Sequence, residues 1–220
     1  MQRHKSRLIN NMNDDLTTVP FLLDDEDDNT FCMLVSESES YTDLNTLLKD
    51  LHAAKGSGFI WTLKEIASHC EFKPLPGESN IFVVGGETAE DYDNLLNAAR
   101  KAVDYGYRVF ILPNPKGIRT ADFIFERKGV YKMFDLKTIV GKSSVSNRLL
   151  ESIGQTNHVF LNMSTDYDPR LLAKDVRTYF EVNKQAREVL IVKGKKFLSV
   201  SRQFVEGNDY FKMFIKRYLK

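Results

Sequence analysis

The chain has 220 residues, with 31 Lys and Arg against 30 Asp and Glu and a formal net charge of +1. That length holds one sizeable domain, or a domain with an appendage, and an apolar fraction of 42% can build a core. No apolar run reaches the roughly 18 residues of a membrane span, Cys32 and Cys70 have no metal-ligand or CxxC spacing, and His4, His52, His69 and His158 form no zinc signature.

The near-neutral total hides a polarity. Residues 13–50 hold eleven Asp or Glu and one Lys, whereas residues 1–12 carry Arg3, Lys5 and Arg7 and no acid, so residues 51–220 carry +8. A basic body behind an acidic leader suits a protein that binds a polyanion, with the leader solvating or masking it. The plainer account is a solvated, partly disordered tail. The basic N-terminus is not followed by a hydrophobic region, so it is not a secretory signal, and a soluble cytoplasmic protein is expected.

Taken in chain order, residues 1–40 are polar and acidic with short apolar patches. Leu44, Leu47, Leu48 and Leu51 have helical spacing over residues 41–54. Lys55-Gly56-Ser57-Gly58 breaks that helix, and residues 59–70 suit another. Lys73-Pro74-Leu75-Pro76-Gly77 reads as a linker. It divides a leader with a small helical region, residues 1–78, from a domain over residues 79–220.

From Ile81 the pattern becomes regular. Ile81–Val84 is a strand, Ala89–Tyr105 an amphipathic helix closed by Gly106, and Tyr107–Leu112 a strand stopped by Pro113. Ala121–Phe125 and Tyr131–Val140 form a hairpin about Glu126-Arg127-Lys128-Gly129. A helix over Ser144–Thr156, a strand over His158–Met163 and a helix over Asp168–Lys184 follow. Glu188–Val192 and Lys196–Ser201 make a last hairpin, and Tyr210–Lys220 a short basic helix. The expected class is α/β, a central mixed sheet flanked by helices.

The chemistry concentrates in the first hairpin. Strand side chains alternate faces, so Asp135 and Lys137 point the same way, and the hairpin brings Asp122 alongside. Two carboxylates on one edge attract a hard cation such as Mg²⁺ or Mn²⁺, to which the Leu136 carbonyl can add an oxygen. Such a metal activates water and polarises a phosphate, and Lys137 orients that water or stabilises developing charge. The charged residues interrupt an otherwise apolar strand, which is costly unless they converge on something.

The order strand, Ala121-Asp122, turn, apolar-Asp135-x-Lys137, helix, strand resembles the PD-(D/E)xK nuclease superfamily, with its restriction-endonuclease-like sheet. Ala121 stands where the family often has Pro. More narrowly, Gly106, Val109, Leu112 and Pro113 ahead of the hairpin are similar to the Gly-x-x-Val-x-x-Leu-Pro phrase of CdiA-type C-terminal tRNase toxin domains. The resemblance covers roughly residues 80–202.

It implies a metal-dependent endonuclease in which Asp122 and Asp135 bind metal and Glu90 or Asp93, on the preceding helix, completes the shell. Lys137 is then the catalytic cation, and Gln155 holds water or phosphate. It also implies RNA, tRNA in particular, as substrate, and a cognate immunity protein as partner. Lys142, Ser144, Asn147 and Arg148 after the catalytic strand, with Arg119 before it, are suited to phosphate contacts. Two other readings stay open. One is a DNA endonuclease of a restriction, repair or mobile-element system, and the other a non-catalytic module that binds nucleic acid or protein.

Overall fold

The leucine spacing after Asp43 produces the first element, α1 (Leu44–Ala53), and Asp43 caps it by accepting from the Thr46 amide. This computed structural model describes residues 42–85, 91–113, 120–141 and 145–220, without the His52 side chain. Gly56, at φ +59, starts α2 (Ser57–Ala67). The strands β1 (Phe72–Leu75) and β2 (Glu78–Val84) follow, then α3 (Tyr92–Asp104), β3 (Arg108–Ile111), β4 (Phe123–Arg127) and β5 (Val130–Ile139). The chain continues through α4 (Val145–Leu150), β6 (His158–Met163), α5 (Pro169–Val182), β7 (Glu188–Lys193) and β8 (Lys196–Ser201). It closes with a short turn of helix, α6 (Arg202–Val205), and α7 (Tyr210–Leu219).

Eight strands of the described chain form one sheet in sequential order, and the helices flank it. The pairs β2–β3, β5–β6 and β6–β7 are parallel, and the remaining neighbours are antiparallel. The mixed α/β expectation therefore holds at the level of class. No described helix is long and apolar enough to cross a membrane.

The expected linker at residues 73–77 is instead strand β1 and the turn into β2. Prolines belong there because β1 is the outermost strand, so Pro74 removes no central ladder bond, and the register shifts right after it. Tyr41–Lys220 form one compact unit. A division between residues 78 and 79 would cut through the β1–β2 hairpin, and α1 and α2 share a core with β1, β3, β4 and β5.

Three apolar clusters hold the sheet. On one face, α3 packs Ala98, Ala99 and Ala102 against Phe123, Phe125, Phe134, Leu136 and Phe160. The other face is covered twice. Helices α1 and α2 pack over Phe110, Ile124 and Met133, and α4, α5 and α7 pack over Ile139, Val159, Leu161 and Ile191. Residues of β5 on this second face run Met133, Asp135, Lys137, Ile139. The two apolar ends belong to different clusters, and the charged pair occupies the seam between them.

Candidate functional site

The seam exists because β5 changes partners along its length. Val130–Phe134 pair with β4, and Asp135–Ile139 pair with β6 on the other edge. At Leu136 the β4 edge has no strand residue left to accept its amide. Asp122, the residue just before β4, takes that role: its Oδ2 accepts from the Leu136 N–H at 2.6 Å. Its backbone is fixed on both sides, since its N–H donates to the Phe134 carbonyl and its carbonyl accepts from Leu112. The Gly106-to-Pro113 phrase now has a structural role. Gly106, at φ +91, ends α3 and Val109 buries in β3, which leads Leu112 to the Asp122 carbonyl.

Asp122 lies just beyond the last β4–β5 pair, Phe123 with Phe134, close enough to Asp135 for the two carboxyls to interact, and Asp135 is only 2% exposed. Lys137 Nζ sits 2.7 Å from Asp135 Oδ2, with its own side chain 13% exposed. Burial pushes the Asp122 carboxyl up to about 6; the Leu136 N–H and the Lys137 charge oppose this, and Asp135 adds to it. Among the described residues the site brings two carboxyls and Lys137 together, in surroundings that resist the ionisation of Asp122.

A buried polar cluster that the sequence did not suggest centres on Tyr179. Tyr179 of α5 shares a hydrogen bond with Ser152 at 3.2 Å and accepts from Asn183 Nδ2 at 3.2 Å. Burial raises the Tyr179 phenol and the Asp135 charge raises it further, which places that carboxylate near enough to act on it. The available signal was Asn183 and Tyr179 four residues apart on the otherwise apolar stripe of α5.

The other expected site residues fare differently. Asp93 is exposed on α3, and its charge acts on Arg100. That helix lies on the Phe134–Leu136 face, opposite Asp135 and Lys137; its neighbour Asn94 accepts from Thr138 on that same opposite face. The expectation of Asp93 as a third metal carboxylate is thus corrected by strand alternation. Gln155 lies beyond α4, which is shorter than the expected Ser144–Thr156 helix, and its amide donates to the Glu151 carbonyl at 3.1 Å. It closes a local turn rather than meeting the carboxylates. Asn147 and Arg148 are exposed on α4, and Arg148 pairs with Glu151 at 3.0 Å. Glu90, Arg119, Lys142 and Ser144 lie outside the described residues.

No family model matches the chain, and no curated protein matches it. Among solved structures it is similar to a chain of the CdiA-CT/CdiI toxin and immunity complex from Burkholderia pseudomallei. The identity is 14% and the TM-score 0.38, over 54% of this chain and 98% of that one. A likeness of that degree assigns neither fold family nor activity.

The donor set suits one kind of cation. Among the described residues no group of three or more His, Cys, Asp or Glu is arranged to hold a metal. Mg²⁺ is commonly held by one or two carboxylates and keeps its remaining positions for water and phosphate oxygens. Asp122 and Asp135 meet that requirement, and a divalent charge would relieve the strain that keeps Asp122 protonated up to about pH 6.

Proposed function

We propose that this protein is a metal-dependent phosphodiesterase with a PD-(D/E)xK core, cleaving RNA, tRNA in particular, as a toxin-like effector restrained by an immunity protein. The observation that carries the hydrolytic part is the surplus of buried carboxylate at one point of the sheet. The Asp122 and Asp135 carboxyls act on one another, and Lys137 lies 2.7 Å from Asp135. Further support is the order α3, β3, β4, β5, α4, β6 around them. Preference for RNA rests on the Gly106-to-Pro113 phrase.

In this reading Asp122 and Asp135 hold Mg²⁺ or Mn²⁺, with the Leu136 carbonyl available beside them. The bound metal supplies Lewis acidity and an activated water. Lys137, kept in place by Asp135, presents its ammonium to a phosphate oxygen that gains charge as the phosphodiester is attacked. The Leu136 N–H fixes the Asp122 carboxyl.

One observation favours a second, non-catalytic reading. The Lys137–Asp135 pair is already closed, and below pH 6 a protonated Asp122 leaves the cluster neutral. Such a cluster is a structural peg beneath a binding surface. Incubation with total tRNA and with duplex DNA in Mg²⁺ separates the readings. RNA cleavage supports the proposal, DNA cleavage without RNA cleavage moves it to a DNA endonuclease, and cleavage of neither leaves the binding module.

A further inference from the structure

A second concentration of charge lies at the hairpin joining β7 and β8. Lys193 and Lys196 are direct cross-strand partners, and Gly194, at φ +59, with Lys195 forms the two-residue turn between them. Like charges directly opposite one another destabilise a hairpin, and here a third cation is added at the tip. Residues 193–220 hold eight Lys or Arg against Glu206 and Asp209 alone. Such a breach of local preference points to a use for the charge.

Local partners do not absorb it. Lys193 pairs with Asp166 at 2.5 Å, but that carboxylate is 92% exposed, and exposed pairs contribute little in water. Lys196 donates to the Leu219 carbonyl, a neutral group, at 3.1 Å. Lys195 is exposed at the turn. An open cavity of about 530 Å³ is lined by these lysines together with Ser164, Thr165 and Asp166. Arg217 of α7 lines a small adjoining hollow with Lys193 and Lys196; its guanidinium lies over the Phe204 ring at 4.7 Å, and Lys193 Nζ lies 5.2 Å from the Tyr218 ring centroid.

The location matters as much as the charge. This cleft lies at the carboxyl ends of β6 and β7, the edge at which open α/β sheets bind their ligands. Lys137 is near the same end of β5, and the Ser164 amide donates to the Ile139 carbonyl, tying the cleft wall to that strand. By strand alternation Lys193 is on the same sheet face as Lys137, two strands over and two residues farther along. Strand spacing and rise put their Cα atoms on the order of 12 Å apart.

We infer that the Lys193–Lys196 turn, with Arg217 and the hydroxyls of Ser164 and Thr165, is a binding cleft for the phosphate backbone of a single-stranded nucleic acid. A phosphate displaces Asp166 from Lys193, and neighbouring phosphates engage Lys195, Lys196 and Arg217. The cleft holds a strand that extends beyond the bond cut at Asp135 and Lys137; only in that respect does it depend on the nuclease proposal.

The test is fluorescence anisotropy with labelled oligo(U) and oligo(dT), in EDTA so that no metal-dependent cleavage occurs, across a salt series. Lys193→Gln/Lys195→Gln/Lys196→Gln should weaken binding by about tenfold or more and flatten the log–log salt slope by about 2. A control triple substitution at Lys49, Lys55 and Lys73, exposed on α1, the α1–α2 loop and β1, should leave both unchanged. Circular dichroism melts confirm that both variants remain folded. Equal loss for oligo(U) and oligo(dT) marks a backbone reader, and loss confined to oligo(U) marks one that uses the 2′-hydroxyl. Unchanged affinity and slope in the hairpin variant overturn the inference. So does wild-type protein that ignores both oligonucleotides yet binds poly(Glu) through these lysines, which marks an acidic protein partner. Because cleavage plays no part in this assay, an inactive catalytic centre and a wrong cleft give different results.

Discussion

Strand β5 carries a lysine–carboxylate pair on each of its faces, and the two differ in what surrounds them. On the α3 face Lys132 Nζ lies 2.7 Å from Glu188 Oε2, while Ser199 Oγ donates to Glu188 Oε1 at 2.6 Å. One carboxylate there receives two donors, and its charge is met. On the other face Lys137 reaches Asp135 at the same 2.7 Å, but Asp122 brings a second carboxylate. The first arrangement gives one carboxylate two donors, and the proposed function asks the second to take a further cation. Pairing distance is the same in both, so the difference lies in the second carboxyl beside Asp135.

The largest expected effects come from breaking each pair. Glu188→Ala strips Lys132 and Ser199 of their acceptor and should cost about 2 kcal/mol in urea unfolding, less than a fully buried pair because Lys132 is 36% exposed, with cleavage intact. Asp135→Asn lets Lys137 turn to Asp122, so its stability should stay within about 1 kcal/mol of wild type while cleavage is lost. Equal destabilisation by both would erase the distinction between the faces.

Divalent metal sharpens it next. Mg²⁺ at about 100 times its dissociation constant should stabilise the wild type by about 2.7 kcal/mol. That increment should persist in Glu188→Ala and vanish in Asp122→Asn and Asp135→Asn. Thermal melts with Mg²⁺ and with EDTA read it directly.

A smaller effect appears in pH. The Asp122 carboxyl, at about 6 in the fold and about 4 unfolded, binds more protons when folded between those values. Stability therefore falls as pH rises through that window, by on the order of 2 kcal/mol, and stays lower above it. Asp122→Asn should remove this fall. Burial holds His158 down to about 4, so in the unfolded chain it binds more protons from pH 4 to about 6.5, and its contribution has the opposite sign.

Much of the fold was legible because periodicity and punctuation agreed. Leu44 to Leu51 marked α1, Gly106 ended α3, and the Lys128-Gly129 turn, with φ values of +53 and +76, closed the β4–β5 hairpin. Strand β1 was missed because its prolines resemble a linker until its place at the sheet edge is known. At the site, the alternation of Asp135 and Lys137 was readable from spacing alone. Asp93 was misjudged because sequence cannot tell which face of the sheet a helix will cover. Gln155 was misjudged because α4 ends at Leu150, before that side chain could be carried on a helix. Tyr179 was overlooked because its relation to Asp135 comes from packing between distant segments.

The central claim is that the excess of carboxylate around Lys137 is a hydrolytic centre, and cleavage of total tRNA by wild type, Asp135→Ala and Lys137→Ala tests it most directly. The account predicts Mg²⁺-dependent cleavage by the wild type, abolished by EDTA and reduced by about 10²–10³-fold or more in each folded variant. Undiminished cleavage in both variants would contradict it.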